Sequence, residues 1–277
     1  MTDDLDRHVD VIGVPKRIVA LSPAVVEVLF ALGITPVGRP SAADYPEEAR
    51  QVYVIGTTQR PSYERIAELK PDLIIGNTAP NDERIAQLEK LDAPTLLYHV
   101  ASYSDVLRVT RAIGQVVNRE ADAQRIVKTI EDRLAATKAK VPSQKPSVLI
   151  LMGSGKSFYT ALPASYVGSL ARELGAANMA SGPEDRLYRG FSRCSLEKLL
   201  EKDPDVVVAI RPSSTPERAP SVLPTLDDDG RWRDWKALKP RRVYEVSPKL
   251  FLQHPGLRVG DAIAEVASIL YPNAFPR

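Results

Sequence analysis

Ser62-Tyr-Glu-Arg-Ile-Ala-Glu-Leu-Lys-Pro-Asp-Leu-Ile-Ile75 is matched 133 positions later by Ser195-Leu-Glu-Lys-Leu-Leu-Glu-Lys-Asp-Pro-Asp-Val-Val-Val208. Each stretch reads as a helix followed by a strand. A serine opens the helix and a proline closes it. The apolar run that follows has no polar alternation, as a parallel strand covered on both faces requires. Ser62/Ser195, Glu64/Glu197, Glu68/Glu201, Pro71/Pro204 and Asp72/Asp205 are identical, five of fourteen positions. Helix-Pro-Asp-strand is a common connection. Five identities at one offset, near half the chain, nevertheless favour two similar lobes.

Working outward, residues 17–21 read as a short buried strand. Ser22 then caps a helix over 24–32, with Pro23 at its first position and Gly33 at its end. A helix over 79–91 and a strand over 95–98 continue the alternation. From Ser104 to Val141 the pattern changes: apolar residues recur at Ile126, Ile130, Leu134 and Val141 with charges between them. That is helical periodicity, bent near Asn118, with no strand inserted. After Pro142 and Pro146 the alternation restarts. Strands are predicted over 147–152, 205–210 and 243–246, and helices over 166–174, 195–201 and 259–270. The fold class is therefore α/β: two Rossmann-like lobes with parallel sheets joined by one long linker helix. The boundaries fall at 1–118, 119–141 and 142–277.

The chain has 277 residues, 44% hydrophobic and 26% charged, as in ordinary globular proteins. Its net charge of +2, from 37 basic and 35 acidic side chains, argues against a nucleic-acid partner. One cysteine, Cys194, excludes an intrachain disulfide and reads as a small apolar filler. His8, His99 and His254 are too scattered for a zinc site. The apolar runs fall short of the ~20 residues that span a bilayer. The first residues show no basic-then-apolar signal, so the chain is either cytoplasmic or preceded by a segment that has been removed.

Residues 17–33, Arg-Ile-Val-Ala-Leu-Ser-Pro-Ala-Val-Val-Glu-Val-Leu-Phe-Ala-Leu-Gly, resemble the opening of the helical-backbone (class III) substrate-binding proteins of ABC importers for iron complexes, haem and vitamin B12. Val54-Ile-Gly-Thr with the stretch from Glu64 resembles their second block. Pro255-Gly-Leu-Arg-Val-Gly-Asp resembles a block near their C-terminus, with Leu257 in place of a proline. The resemblance covers about residues 10–272, and its specificity lies in the order and spacing of soft motifs. It implies a non-catalytic, extracytoplasmic protein, on the periplasmic side or cell surface and possibly lipid-anchored. It also implies a monomer that holds its ligand between the lobes and docks onto a permease. The rigid helix implies modest closure.

The same resemblance assigns roles to Glu64, Glu197, Phe191 and Thr58, and residue type and position suggest the other candidates. Glu64 and Glu197 would pair with permease arginines; locally, an acid in the first helical turn also complements the helix dipole. Phe191, six residues before Glu197, takes an aromatic ligand-facing position, with core packing as its alternative. Thr58 is the partner position and lacks an aromatic. Thr57-Thr58 also stands where haem-binding relatives carry a tyrosine or methionine iron ligand. His254, in Leu252-Gln-His-Pro, can ligate iron through neutral imidazole, and Tyr166 through its phenolate. Each has an ordinary structural alternative, a solvated loop histidine or a half-buried tyrosine. Arg60, Arg193 and Arg211 suit acidic substituents such as propionates, because guanidinium forks match carboxylates. Ser22, Asn77 and Ser154 end strands and can line a polar rim.

Gly153-Ser-Gly-Lys-Ser lacks the glycine that a phosphate-binding loop needs at position 150, which is Ile150. Asp227-Asp228-Asp229-Gly230 lacks calcium-loop spacing. The leading reading is a carrier of an iron complex, haem or a ferric siderophore, to an ABC importer, with a corrinoid as the alternative in the same family. No catalytic cofactor is implied. A metal chelatase on the same architecture is the rival of another class, and no compact acid/base pair supports it. A free-metal site is disfavoured by the scattered histidines. A small oxyanion held at helix starts remains open.

Overall fold

The computed structural model describes residues 1–78, 82–154, 157–186, 188–211, 230–232, 235–239, 241–253 and 256–276. Two compact units emerge: residues 1–100 with 104–130, and residues 101–103 with 131–277.

In the first unit, β1 (Ile18–Ala20) runs into α1 (Pro23–Ala31). The Ser22 side chain accepts the Val25 N–H at 3.4 Å, and Pro23 opens the helix as its fixed φ favours. The chain then lies back along β1, with the Ala20 N–H on the Gly38 carbonyl, and Arg39 bridges to Val54. Next come α2 (Tyr63–Glu68), β2 (Leu73–Asn77), α3 (Asp82–Glu89) and β3 (Thr95–Tyr98). The sheet order is β1-β2-β3, all parallel. Ile74 and Ile75 are fully buried, as the unbroken apolar run predicts. The N-terminal segment closes the β3 edge: Asp4 donates its N–H to the Leu97 carbonyl, and the Asp3 carboxylate accepts the Leu97 N–H. Arg7 holds Asp3 at 2.6 Å.

Helices α4 (Tyr103–Val116) and α5 (Glu120–Lys138) follow. They meet at Gly114, where a Cβ would stand 2.3 Å from that of Ala123, so only glycine fits. The bend sits at Asn118, with φ of 55°. The division between the units falls inside α5, after Ile130.

In the second unit, β4 (Ser147–Ser154) and β5 (Ser157–Ala161) form an antiparallel pair. They are followed by α6 (Tyr166–Glu173), β6 (Ala177–Asn178), β7 (Phe191–Cys194), α7 (Leu196–Leu200), β8 (Val206–Ile210), β9 (Val243–Val246) and α8 (Val259–Leu270). The sheet order is β7-β5-β4-β8-β9, with β6 beside the start of β4. β4, β6, β8 and β9 are parallel, so the α/β reading stands. β5 and β7 add an antiparallel edge that residue periodicity did not reveal. One face packs Leu149, Leu151, Phe158, Val207 and Ala209 against Trp232 and Trp235.

The repeat is realised at its aspartates, each of which pins the entry to a neighbouring strand. Asp72 accepts the Lys16 and Arg17 N–H groups at 2.8 Å each, pinning the entry to β1. Asp205 accepts the Ser147 N–H and hydroxyl, both at 2.8 Å, pinning the entry to β4. The strand registers that follow, Ile18 beside Leu73 and Val148 beside Val206, are equivalent. The Ser147 N–H holds the Asp205 carboxyl below the usual carboxylate range, against the opposing pull of burial.

Asp205→Ala is expected to cost about 2–3 kcal/mol near neutral pH, because hydrogen bonds to a charged acceptor each count for about 1.5–3 kcal/mol. A depressed folded pKa gives stability that is present above the unfolded value of about 3.9 and lost as pH falls through the folded one. The gap between the two proteins in urea unfolding should therefore narrow as the pH falls below about 4. A gap that persists unchanged at low pH would contradict this account. The more exposed Asp72 should cost less when removed, about 1–2 kcal/mol.

Candidate functional site

The two repeat copies place comparable residues at the same step. In the first unit, Gly56 and Pro61 bridge, and Thr57 donates its N–H to the Arg60 carbonyl at 3.1 Å. Gly56 has φ of 115°, and a Cβ there would lie 2.6 Å from the Arg60 carbonyl, so the turn depends on glycine. Thr58 is half-buried on this turn and Arg60 is exposed. Ser62 then caps α2 through the Arg65 N–H, and Glu64 stands exposed in its first turn.

In the second unit, the equivalent positions of Thr58 and Arg60 are Phe191 and Arg193, on β7. Ser195 caps α7 through the Lys198 N–H, and Glu197 is exposed in its first turn. Phe191 is 6% exposed and lies beside Ala161, so its ring is part of the packed edge. Arg193 is exposed beside Tyr159.

The remaining candidates divide by environment. Ser22 is 2% exposed; besides capping α1 it donates its hydroxyl to the Asn77 side-chain oxygen at 3.2 Å. The two rim candidates of the first unit are thus brought together. Arg211 follows β8 and pairs with Glu245 of β9, which raises its pKa. Tyr166 is 8% exposed at the start of α6. Ser154 ends β4. His254 lies outside the described residues, as do Gly155 and Lys156 of the Gly153-Ser-Gly-Lys-Ser stretch and Asp227 to Asp229. Burial pushes the Cys194 thiol up, against Lys202 and Lys198, consistent with a filler beside the tryptophan core.

Periodicity did not single out the ring pair of Tyr159 and Tyr188, with centroids 4.7 Å apart. The alternation in Ser157-Phe-Tyr-Thr-Ala, buried at Phe158 and Thr160, was the available signal. Among the described residues, no group of three or more His, Cys, Asp or Glu side chains could hold a metal ion. No helix among them is long and apolar enough to cross a membrane.

Each α/β unit thus carries a capping serine and an exposed glutamate at the equivalent step of the repeat. The chain belongs to the periplasmic binding protein family, whose model matches residues 18–250. It is 31% identical over 256 residues to Bacillus subtilis YhfQ, assigned as an ABC transporter substrate-binding lipoprotein, covering 84% of this chain and 76% of that protein. It is 26% identical to the Staphylococcus aureus high-affinity heme uptake system protein IsdE, over 92% of this chain and 87% of that one. The crystal structure of IsdE complexed with heme matches with a TM-score of 0.79 over 92% of this chain and 98% of that one. The periplasmic heme-binding protein RhuT from Roseiflexus sp. RS-1, in apo form, matches at 27% identity and a TM-score of 0.77. That match covers 95% of this chain and all of that one. The chain is therefore a non-enzymatic substrate-binding component of the ABC transporter class.

Proposed function

We propose that this protein captures an iron complex outside the cytoplasmic membrane, haem first and a ferric siderophore second, and delivers it to an ABC permease. The observation that carries the reading is whole-chain likeness to two haem proteins, IsdE and RhuT, each at more than a quarter identity. The exposed arginines at equivalent repeat positions, Arg60 and Arg193, support it, since guanidinium groups match carboxylate substituents. Residues 1–118 and 142–277 act as the two lobes and residues 119–141 as the linker helix, and the protein works as a monomer. Glu64 and Glu197, alike in position and exposure, dock the two lobes onto permease cations. Tyr166 and His254 are the candidate iron ligands.

Absorbance titration of the purified protein with haemin tests the reading, with a ferric siderophore and cyanocobalamin in parallel. A saturable Soret shift is expected, and its loss in His254→Ala or Tyr166→Phe identifies the ligand. Tight binding of cobalamin alone, or of none of the three, would overturn the reading.

A further inference from the structure

Across the second sheet, Arg193, Tyr159, Met152, Ile210 and Val246 fall in one row. Ile210 and Val246 are the last residues of β8 and β9, so this row lies at the carboxyl ends of the parallel strands. That is the end at which open α/β sheets take ligands. Met152, Ile210 and Val246 are buried in the row, whereas Tyr159 is half-buried and Arg193 is exposed. Residues opposite each other on antiparallel strands share one face, so the phenol and the guanidinium stand side by side.

Tyr188, 40% exposed, sets its ring on Tyr159 at 59° between planes. Backbone N–H groups around it are held by one carbonyl and two carboxylates: the Tyr188 N–H on the Asp185 carboxylate at 3.0 Å, the Phe191 N–H on the Tyr188 carbonyl at 3.0 Å, and the Gly190 N–H on the Glu184 carboxylate at 2.5 Å. The Tyr188 ring takes no part in these bonds. The same loop carries exposed Arg186 and Arg189. Among the described residues, no carboxylate pairs with Arg186, Arg189 or Arg193.

An aromatic pair that reaches solvent through Tyr188, beside exposed guanidinium groups, suits one kind of ligand. The exposed Tyr188 ring, braced on Tyr159, offers an apolar face, and the arginine offers a fork for an acid. We propose that Tyr159, Tyr188 and Arg193 form the recognition platform for a planar, conjugated, carboxylate-bearing ligand, of which a porphyrin diacid is the type. The proposal rests on the function proposed above and names the substrate class that this edge selects. It also gives the aromatic contact to Tyr159 and Tyr188 rather than to buried Phe191.

The test is fluorescence or absorbance titration with haemin, iron-free protoporphyrin IX and protoporphyrin IX dimethyl ester. A ferric siderophore is titrated in parallel. Wild type is compared with Tyr188→Ala, Tyr188→Phe, Arg193→Gln and Arg193→Lys, with melting temperatures alongside. Tyr188→Ala is expected to weaken both porphyrin diacids about tenfold or more, and Tyr188→Phe by less than about twofold. Arg193→Gln should weaken the diacids about tenfold and leave the diester nearly unchanged, with Arg193→Lys in between. Porphyrin affinities unchanged in Tyr188→Ala and Arg193→Gln would overturn the platform while leaving the iron-complex reading intact. An equal loss for diacid and diester in Arg193→Gln, with a lowered melting temperature, would reduce Arg193 to a structural role and overturn it too. Binding of the ferric siderophore with no porphyrin bound would also reject the platform without touching the broader reading.

Discussion

Glu64→Ala combined with Glu197→Ala is expected to reduce ABC-dependent uptake to background while leaving ligand affinity unchanged. Both carboxylates are exposed, and both sit in the first turn of a short helix capped by the equivalent serine. Locally each contributes only a few tenths of a kcal/mol through the helix dipole. The variant should therefore fold and bind normally. Truncating one partner of a hydrogen-bonded charge pair that docking buries costs about 2–5 kcal/mol. Two such losses would weaken docking by several orders of magnitude at about 1.4 kcal/mol per factor of ten. Each single variant should show a partial defect. Uptake by the permease in proteoliposomes, with ligand affinity measured on the same preparations, checks the result. Normal uptake by the double variant, or lost affinity, would contradict the docking role.

Trp232→Ala is expected to destabilise the second unit by about 3–5 kcal/mol, the usual cost of removing a large buried aromatic side chain. Trp232 has no exposed surface, and its ring lies 4.5 Å from Trp235 and 6.0 Å from Phe158, edge-on to both. Such pairs add about 0.5–1.5 kcal/mol each beyond area burial. The set packs on Leu149, Leu151, Val207 and Ala209, so an alanine leaves a cavity under the central strands. Against a total stability of about 5–15 kcal/mol, this is a large fraction. Neither indole N–H has a partner among the described residues, and Trp232→Phe keeps much of the buried ring, so it should cost about half as much. Urea unfolding followed by far-ultraviolet circular dichroism measures both. A loss below about 1 kcal/mol for Trp232→Ala would mean that the cluster can collapse around the gap.

Local chemistry was legible in the linear chain. Ser22, Ser62 and Ser195 announce helix starts, and each accepts an N–H three residues on. The unbroken apolar runs mark parallel strands; those at 95–98 and 243–246 fall on their observed bounds, as does the last helix. The offset of 133 exposed the repeat, because the aspartates that pin β1 and β4 occupy the same step in each copy. These signals are carried by neighbours within a few residues, so periodicity and capping are enough to read them.

The candidate site was legible by residue type and far less by environment. Arg211 looked like a free cation at a strand end, yet Glu245 lies beside it across β8 and β9. Ser22 and Asn77 looked like independent rim groups, yet they bond to each other. The antiparallel edge joins Met152 to Tyr159 and Tyr159 to Arg193, and the Tyr188 ring closes on Tyr159 across nearly thirty residues of chain. Strand register and cross-strand partners are set by long-range pairing, which leaves no local period in the residues that take part. The sequence by itself determined the α/β class, the repeat, the capped helices and the residue types offered to a ligand. Only the tertiary structure decided which of those side chains are spent on each other, as Arg211 is on Glu245, and which, like Arg193 beside Tyr159, are left exposed.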